Sequence, residues 1–503
     1  MADESPTAGS SPLHHKRLRM SIFAELLTTE QAKRVHEASL EILENVGLLV
    51  RHPKAREYLT KRGCPTGSQT DIVKFPRQVV EEARAAFPPT FTFYGREPKY
   101  DRTLPQHRPV IVTGSSAPNL IDPVTGKERR AYSDDIARIA HLINELPGYD
   151  VFSVSTLAED APPDRFTVTR LYPALKNCLK PIRCSALNPA DAERILQLGA
   201  LVAGSADAYR ARPFITHHHC PIVSPLTFDH DSTEMLIYFT ERGLPNFGTV
   251  VPNGGMSAPM TLLGTLVQGN AEFLALSTLT QIIRAGTPLI YSSLPTIADL
   301  RRGTYAPGAI ECGMLVMGMA QMARFYNVPS CAYVGLTNSK INDAQSGYES
   351  GMSNVAVLLA GLDMFNMGGL LDALLCFDFA KAVIDDEIAL MLKRIHRGFE
   401  FSEDNFALDD ITATGPGGMF IDKPRTFAMM KETMFLPTIA DRNKRQRWQE
   451  LGALDAQARA LKRARDILTR DNPAAFSPDV DARIRAAFAD LPRGDSVALA
   501  EWK

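Results

Sequence analysis

The sequence predicts an α/β protein built around a (β/α)₈ barrel, and three observations support this prediction. Eight short apolar or β-branched runs recur between residues 109 and 370, and each is followed by a helical stretch. The alternation covers about 290 residues, which is the size of one such barrel. The runs lack strict polar–apolar alternation, as expected for strands that are covered on both faces.

The barrel elements follow one another without interruption. Strands are predicted at 109–114, 150–156, 181–187, 213–219, 245–251, 288–294, 330–336 and 364–370. Helices are predicted at 134–146, 164–176, 189–203, 231–242, 259–285, 309–326, 345–360 and 378–397. A doubly wound sheet could use the same order, but it would normally show a Gly-rich phosphate turn after an early strand, which this sequence lacks. The barrel is therefore assigned to residues 105–400.

The flanking segments are predicted to be mostly helical. Residues 1–20 mix Ser, Pro, Gly and charge without periodicity, which indicates a flexible tail. An N-terminal helical cap is predicted over 21–104, with helices at 28–46, 53–62 and 76–86 and a strand-like patch at 91–94. A C-terminal helical extension is predicted over 401–503, with helices at 441–451, 455–468 and 479–489. We expect it to pack on the barrel or on a neighbouring subunit.

Composition narrows the possible partners. The 503 residues include 55 Lys and Arg and 57 Asp and Glu, so the net charge is −2 and shows no bias toward binding nucleic acid. No apolar run approaches the ~18 residues that a membrane span needs. The seven cysteines show no C-x-x-C spacing, and no signal-like stretch precedes the first helix. These features predict a cytoplasmic protein without a membrane or nucleic-acid partner.

The run H-H-H-C at 217–220 lies where the fourth barrel strand ends, on the expected active face. Alternation along a strand places His217 and His219 on one side and His218 and Cys220 on the other. The four side chains therefore cannot form one metal shell, and no third ligand is evident. We expect no metal, with zinc as the less favoured alternative, and we expect His219 to contact a ligand.

The loop after the seventh strand is the densest polar segment. Asn338 and Lys340 lie in the loop itself, and Gln345, Tyr348 and Glu349 follow at i, i+3, i+4 spacing on one helix face. Such residues can overhang the barrel mouth, so all five are candidate substrate-binding residues. An ordinary solvated loop that caps the next helix is the alternative interpretation.

Several short motifs resemble the trimethylamine methyltransferase family. They are GLTNSKINDAQSGYE at 335–349, SPLTFD at 224–229, GAIE at 308–311, GPGG at 415–418 and FLPTIADR at 435–442. The similarity runs from about residue 25 to about residue 470. Family members are (β/α)₈ barrels that move a methyl group from a methylamine to the cobalt of a separate corrinoid protein, and close relatives form homo-oligomers.

The sequence departs from part of that family in two places. Archaeal trimethylamine enzymes carry pyrrolysine near the seventh-strand loop, and this chain has only ordinary residues there. It is similar instead to the branch without pyrrolysine, whose members include glycine betaine:corrinoid methyltransferases. Many relatives also carry histidine in the segment that corresponds to 415–430, where this chain has none.

The resemblance implies a quaternary amine substrate, such as glycine betaine, and a corrinoid protein as partner, with no tightly bound cofactor in this chain. A quaternary ammonium already carries its positive charge, so a tertiary amine leaves without a proton being supplied. The quaternary ammonium has no N–H to donate and is attracted to π faces, so aromatic side chains are expected to bind it. The candidates are Phe91, Phe93, Tyr94, Tyr291, Tyr333 and Tyr348, of which Tyr94 and Tyr348 are favoured. A substrate carboxylate would be bound by His219, Asn338 or Lys340.

Three alternative functions remain open from the sequence. A trimethylamine methyltransferase without pyrrolysine would use the same fold and partner. A zinc-dependent betaine–thiol methyltransferase would need a thiolate cluster near the end of the barrel. A non-enzymatic betaine-binding module would need neither a metal nor a corrinoid partner.

Overall fold

The computed structural model describes residues 23–67 and 71–500, so the expected tail at 1–20 lies outside the described residues. Strands and helices are numbered in chain order. The strands are β1 (Leu48–Val50), β2 (Ile72–Val73), β3 (Phe91–Phe93), β4 (Arg102–Leu104), β5 (Val110–Val112), β6 (Asn119–Ile121), β7 (Glu128–Arg130), β8 (Phe152–Ser153), β9 (Ile182–Cys184), β10 (Ile215–His219), β11 (Ile222–Val223), β12 (Thr227–Phe228), β13 (Asn246–Val250), β14 (Asn253–Gly254), β15 (Tyr291–Ser293), β16 (Thr296–Asp299), β17 (Thr304–Tyr305), β18 (Ser330–Tyr333), β19 (Met364–Asn366), β20 (Leu370–Leu371) and β21 (Cys376–Phe377). The helices are α1 (Thr29–Asn45), α2 (Pro53–Lys61), α3 (Arg77–Ala85), α4 (Ser133–Glu145), α5 (Phe166–Asn177), α6 (Pro189–Ala203), α7 (Ala206–Ala211), α8 (Asp231–Glu241), α9 (Leu262–Ile283), α10 (Ile310–Phe325), α11 (Ala344–Leu359), α12 (Phe379–Arg397), α13 (Glu403–Phe406), α14 (Leu408–Thr414), α15 (Pro424–Thr433), α16 (Arg445–Glu450), α17 (Ala456–Leu468) and α18 (Pro478–Ala487).

Eight parallel strands form the predicted barrel. Their order is β5-β19-β18-β15-β13-β10-β9-β8, and a parallel bridge between Val112 and Val151 joins the two ends of this sheet. The first and last barrel strands are neighbours, with Val110 opposite Met364. Each of the eight predicted strands and eight predicted barrel helices is present, so the fold class is confirmed.

The register of the barrel strands decides which side chains point inward. Arg183 lies opposite Thr216, and His218 lies opposite Phe247. Residues directly opposite each other in a sheet project from the same face, so one set of register partners lines the barrel interior. The same logic turns His217 and His219 toward the helix layer.

An aromatic plug closes the amino end of the barrel. The hairpin of β3 and β4 packs Phe91 and Phe93 against Phe247 of β13, with ring centroids 5.8 and 6.1 Å apart. These rings pack with Val110 and Met364 at the starts of β5 and β19. The plug leaves the carboxyl ends of the strands as the place where a ligand can enter.

The N-terminal cap begins with α1. Thr28 and Gln31 form a capping box, with distances of 3.2 Å from Gln31 N to Thr28 Oγ1 and 2.8 Å from Thr28 N to Gln31 Oε1. Gly47 follows α1 at φ +77°, and a Cβ there would lie 2.4 Å from the Val73 carbonyl oxygen, so this position requires glycine. The cap is not purely helical, because β1 and β2 join β11 and β12 in a small sheet beside the barrel.

The C-terminal extension divides into two parts. Helix α17 contributes Ala460, Ala464 and Ile467 to the barrel-side core, where it packs on α12 and α4. The predicted helix at 441–451 is shortened to Arg445–Glu450, because the Asp441 carboxylate accepts the Asn443 N–H at 2.9 Å in a turn. Helices α13–α15 were not predicted, and none of them has a buried residue. Within residues 23–67 and 71–500, no helix has the length and hydropathy required to span a membrane.

Candidate active site at the carboxyl end of the barrel

A cavity of about 280 Å³ opens at the carboxyl ends of the barrel strands. Its walls come from strand ends, from α5 and from the loops that follow the strands. The lining residues are Ser115, Ser116, Ser153, Val154, Thr167, Arg170, Leu171, Arg183, Cys184, Ser185, His218, Cys220, Leu294, Tyr333 and Leu374. They include two arginines and no carboxylate.

Arg183 of β9 is buried in this lining, with 1% of its surface exposed. Its Nε donates to Ser153 Oγ at 3.0 Å, and its two terminal nitrogens donate to Asn366 Oδ1 and to the Tyr333 hydroxyl, the latter at 3.2 Å. The guanidinium carbon also lies 5.5 Å from the centroid of the Tyr333 ring. All three hydrogen-bond acceptors are neutral groups.

Asn366 of β19 holds one end of that guanidinium in place. While its carbonyl oxygen accepts from Arg183, its amide nitrogen donates to Cys331 Sγ at 3.0 Å. The Tyr333 hydroxyl also lies 3.4 Å from Ser115 Oγ. Side chains from three barrel strands and one loop therefore fix the orientation of Arg183.

Arg170 of α5 supplies the second positive charge. Its guanidinium donates twice to the carbonyl oxygen of Thr156, at 3.0 and 2.8 Å. Burial lowers the pKa of Arg170 to about 10, which still leaves it protonated at neutral pH. No ion pair of Arg170 or Arg183 with an acidic side chain occurs among the residues that the structure describes.

His218 is the histidine that faces the cavity. Its Nε2 lies 2.7 Å from Thr249 Oγ1, which in turn lies 2.6 Å from Ser292 Oγ. Burial and the nearby charge of Arg183 lower the pKa of His218 well below its usual value. His218 is therefore neutral at physiological pH and cannot serve as a proton donor of ordinary acidity.

His217 and His219 lie outside the barrel interior. Both stack on Phe239 of α8, with ring centroids 3.6 and 5.4 Å apart. The expectation that alternation divides the histidine run is confirmed, but the structure places His218, and not His219, beside the cavity. No group of three or more potential metal ligands is found in the parts of the chain at 23–67 and 71–500.

The loop after β18 is bound to its own neighbours. The Glu349 carboxylate accepts from Thr337 Oγ1 at 2.6 Å, from Asn338 N at 2.9 Å and from Gln345 Nε2 at 3.0 Å. The Asn338 side chain accepts from Gly308 N at 2.9 Å, and Lys340 pairs with Asp372 at 3.1 Å. None of these side chains lines the cavity, so the loop braces the barrel mouth and does not form the cavity wall.

The structure does not bring the two favoured tyrosines together. Tyr94 follows the aromatic plug at the amino end, where the Arg212 guanidinium carbon lies 5.5 Å from its ring centroid. Tyr348 lies on α11 with 55% of its surface exposed. Tyr333 is the one aromatic candidate from the sequence that lines the cavity. The sequence reasoning overlooked Arg183, although a charged residue inside the apolar strand P-I-R-C-S-A-L was a usable signal.

Comparison with known proteins adds a family context to this geometry. A family model described as trimethylamine methyltransferase (MTTB) matches residues 4–492. A glycine betaine methyltransferase of Desulfitobacterium hafniense strain Y51 is 32% identical over 475 residues, covering 94% of this chain and 98% of that protein. The trimethylamine methyltransferase MttB of D. hafniense strain DCB-2 is 30% identical over 457 residues, covering 91% and 92%. MttB2 of Methanosarcina mazei is 30% identical over 496 residues, covering 96% of each chain.

Proposed function

Because the chain belongs to the trimethylamine methyltransferase family, we propose that it transfers a methyl group from a quaternary amine, glycine betaine or a close analogue, to the Co(I) of a separate corrinoid protein. The relatives named for glycine betaine and for trimethylamine are similarly distant, at 32% and 30% identity. Overall similarity therefore does not separate the two substrates. The lining of the cavity favours the quaternary amine.

The observation that carries the proposal is that the cavity lining contains no carboxylic acid and no histidine that is protonated near neutral pH. His218 is neutral, burial raises the pKa of the Cys184 thiol to about 12, and desolvation raises the pKa of the Cys220 thiol to about 11 although the charge of Arg183 opposes it. Burial also raises the pKa of Tyr333. Trimethylamine would leave as an amide anion unless it is protonated, whereas a quaternary amine leaves as a neutral tertiary amine. Trimethylamine therefore reacts only as its protonated form, whose N–H needs a polar partner, whereas the quaternary amine needs neither a proton nor such a partner, which favours the quaternary amine here.

Tyr333 supports the binding of the quaternary ammonium. Its ring lines the cavity, and the neutral imidazole of His218 lies beside it, with ring centroids 6.4 Å apart. A cation without N–H groups is attracted to such π faces by about 0.5–2 kcal/mol for a well-placed contact. We assign Tyr333 to contact the N-methyl groups, in place of the cage of Tyr94 and Tyr348 that the sequence suggested.

The cobalt belongs to the partner in this proposal. A cavity of about 280 Å³ accommodates a small substrate, and it lies at the lower end of the sizes that ligand pockets show. The corrinoid supplies a Co(I) nucleophile that accepts the methyl group. The residues of this chain bind the amine, align one N–CH₃ bond toward the opening and exclude water from it. The partner then docks over the mouth of the barrel.

A direct assay tests the proposal. The purified protein is incubated with Co(I) cobalamin and, in separate reactions, with glycine betaine, trimethylamine and buffer alone, while the cobalt absorption spectrum is followed. We expect methylcobalamin from glycine betaine and none above the buffer control from trimethylamine. Methylcobalamin formed from trimethylamine and from no quaternary amine would contradict the proposal.

The expected homo-oligomer has a suitable surface at residues 399–436, which we call the apolar arm. Twelve large apolar side chains of the arm are exposed: Phe399, Phe401, Phe406, Leu408, Ile411, Met419, Phe420, Ile421, Phe427, Met430, Met434 and Leu436. A stable interface buries about 800 Å² per partner, and apolar side chains contribute much of its core. Such an exposed apolar surface suits a dimer contact.

We propose a second copy of this chain as the occupant of the arm. Helix α12 runs from the carboxyl end, where Asp378 accepts from Asn342, to the amino end, where Lys393 pairs with Asp150 at 2.7 Å. The arm begins just after the end of α12, at the amino end of the barrel. Its last part returns to the same place, where Arg394 of α12 donates to the carbonyl oxygen of Thr433 at 3.0 Å. The corrinoid partner must reach the opposite end of the barrel, so the arm is left for self-association.

A further inference from the structure

We infer that Arg183 binds the carboxylate of the substrate, so that the site accepts quaternary amines that carry a carboxylate and rejects those that lack one. The inference rests on the proposed function, since it specifies which quaternary amines the same cavity accepts. It also replaces the carboxylate donors expected from the sequence, because His219, Asn338 and Lys340 do not line the cavity.

The first argument is the unusual burial of this charge. Arg183 is almost completely buried, yet its hydrogen bonds go to the neutral acceptors of Ser153, Asn366 and Tyr333. A guanidinium has five N–H donors, and these three contacts leave two of them for a ligand. A buried charge without a counter-ion is costly, whereas an arginine and a carboxylate form a strong, often bidentate pair.

Other buried cations of the described chain provide an internal comparison. They are Lys176, Lys180 and Lys381. Lys381 pairs with Asp385, and Lys176 also pairs with carboxylates. Lys180 donates at 2.7 Å to two carbonyl oxygens at the C-terminal end of α4, where the helix dipole is negative. Arg183 has neither kind of partner, and it is the member of this set that lines the cavity.

The second argument is the charge of the cavity as a whole. Arg170 adds another positive charge to the lining, which contains no carboxylate. A bare cation such as tetramethylammonium or protonated trimethylamine is repelled by this arrangement. A zwitterion gains from it, because its carboxylate faces the guanidinium groups while its ammonium lies farther away.

The position of Arg183 also orients the substrate. Ser185 lies farther along the chain after β9, and Cys220 directly follows β10, so both are closer to the opening than Arg183 is. A carboxylate bound at Arg183 directs the trimethylammonium group outward, past the ring of Tyr333. The methyl group then faces the side from which the partner's cobalt arrives.

The test combines a variant with a set of matched ligands. Binding of glycine betaine, choline and tetramethylammonium is measured by calorimetry for the wild-type protein, for Arg183→Gln and for Arg183→Lys. Arg210→Gln serves as the charge-matched control, because Arg210 is well exposed on α7. We expect the wild-type protein to bind glycine betaine at least 30-fold more tightly than choline or tetramethylammonium, which corresponds to about 2 kcal/mol.

The variants should separate a binding role from a structural one. Arg183→Gln should lose at least 30-fold in affinity for glycine betaine, Arg183→Lys should lose less, and Arg210→Gln should match the wild-type protein. The melting temperature of ligand-free Arg183→Gln should stay close to that of the wild type. Unchanged betaine affinity in folded Arg183→Gln would overturn the inference.

A second measurement needs no variant. In the cobalamin assay with wild-type protein and glycine betaine, acetate should inhibit competitively, and tetramethylammonium at the same concentration should not. If choline or tetramethylammonium donates a methyl group as well as glycine betaine does, the carboxylate inference fails while the proposed function stands. If no quaternary amine donates a methyl group, the proposed function itself fails.

Discussion

Two regions of this molecule reverse the usual distribution of polar and apolar groups, and they do so in opposite ways. The carboxyl end of the barrel buries the charge of Arg183 without an acidic partner. The apolar arm exposes Phe399 and Phe401 with 98% and 82% of their surface accessible. In an isolated chain the buried charge costs stability, and the exposed aromatic rings contribute none of the stabilisation that burial would give. The comparison teaches that each region has an unmatched surface, for which we propose a small anionic group in the interior and a second protein surface on the arm.

The sharpest contrast inside the barrel is between a paired and an unpaired buried cation. Lys381→Met would leave the Asp385 carboxylate buried without its partner, so we expect the free energy of unfolding to fall by about 3–5 kcal/mol. Arg183→Gln should lower it by no more than about 1 kcal/mol, because removing an uncompensated charge offsets the lost hydrogen bonds. Urea denaturation of both ligand-free variants measures the difference. An equal loss for the two variants would show that Arg183 is a structural residue.

The arm is tested by making its exposed surface polar. Phe399→Asp combined with Phe401→Asp should weaken self-association by at least 100-fold, since two interface aromatic residues contribute about 2 kcal/mol or more each. Sedimentation velocity over a concentration series measures this shift toward the monomer. Val124→Asp, an exposed apolar position in a turn outside the arm, is the matched control and should leave association unchanged. A double variant that associates like the wild type would contradict the assignment of the arm.

The aromatic wall of the cavity should show a smaller effect than its charge. Tyr333→Ala should reduce glycine betaine affinity by about 5-fold to 30-fold, which corresponds to the loss of ~1–2 kcal/mol of cation–π attraction. Tyr333→Phe should lose less, because it keeps the ring and removes only the hydroxyl that accepts from Arg183. Calorimetric titration of both variants measures the two losses. Equal affinity of Tyr333→Ala and the wild type would remove Tyr333 from the binding site.

The smallest expected effect is that of pH. His218 has a pKa well below its usual value and stays neutral as pH rises, while the thiols of Cys184 and Cys220, with pKa values of about 12 and about 11, stay protonated. No lining group therefore changes charge between about pH 6 and about pH 9. Glycine betaine affinity should vary by less than about 2-fold over that range. A tenfold change would reveal a titrating group in the site.

The sequence predicted the barrel well because a short local pattern marks each strand and helix. Apolar runs such as 109–114 and 364–370 mark strands, and Thr28 with Gln31 marks a helix start. The cavity lining was harder to predict, because it depends on whether each strand side chain points into the barrel or toward the helices. Alternation divides the histidine run correctly, but it does not say which half faces inward. That choice follows from the register that pairs His218 with Phe247.

For the loop after the seventh barrel strand, the facing of the residues was predicted, but their hydrogen-bond partners were not. Its polar residues share one helix face as predicted, yet Glu349 is occupied by Thr337, Asn338 and Gln345. Sequence spacing does not distinguish polar side chains that hydrogen-bond to one another from polar side chains that are available to a ligand. We therefore expect Tyr348→Ala, in binding studies of the isolated chain, to leave glycine betaine affinity unchanged.

A crystal structure of the glycine betaine complex tests the central claim most directly. We expect the carboxylate within hydrogen-bond distance of the Arg183 guanidinium and the trimethylammonium group beside Tyr333, with one N–CH₃ bond directed at the opening of the barrel. A betaine bound with its ammonium against Arg183 and its carboxylate at the opening, or bound outside this cavity, would contradict the account.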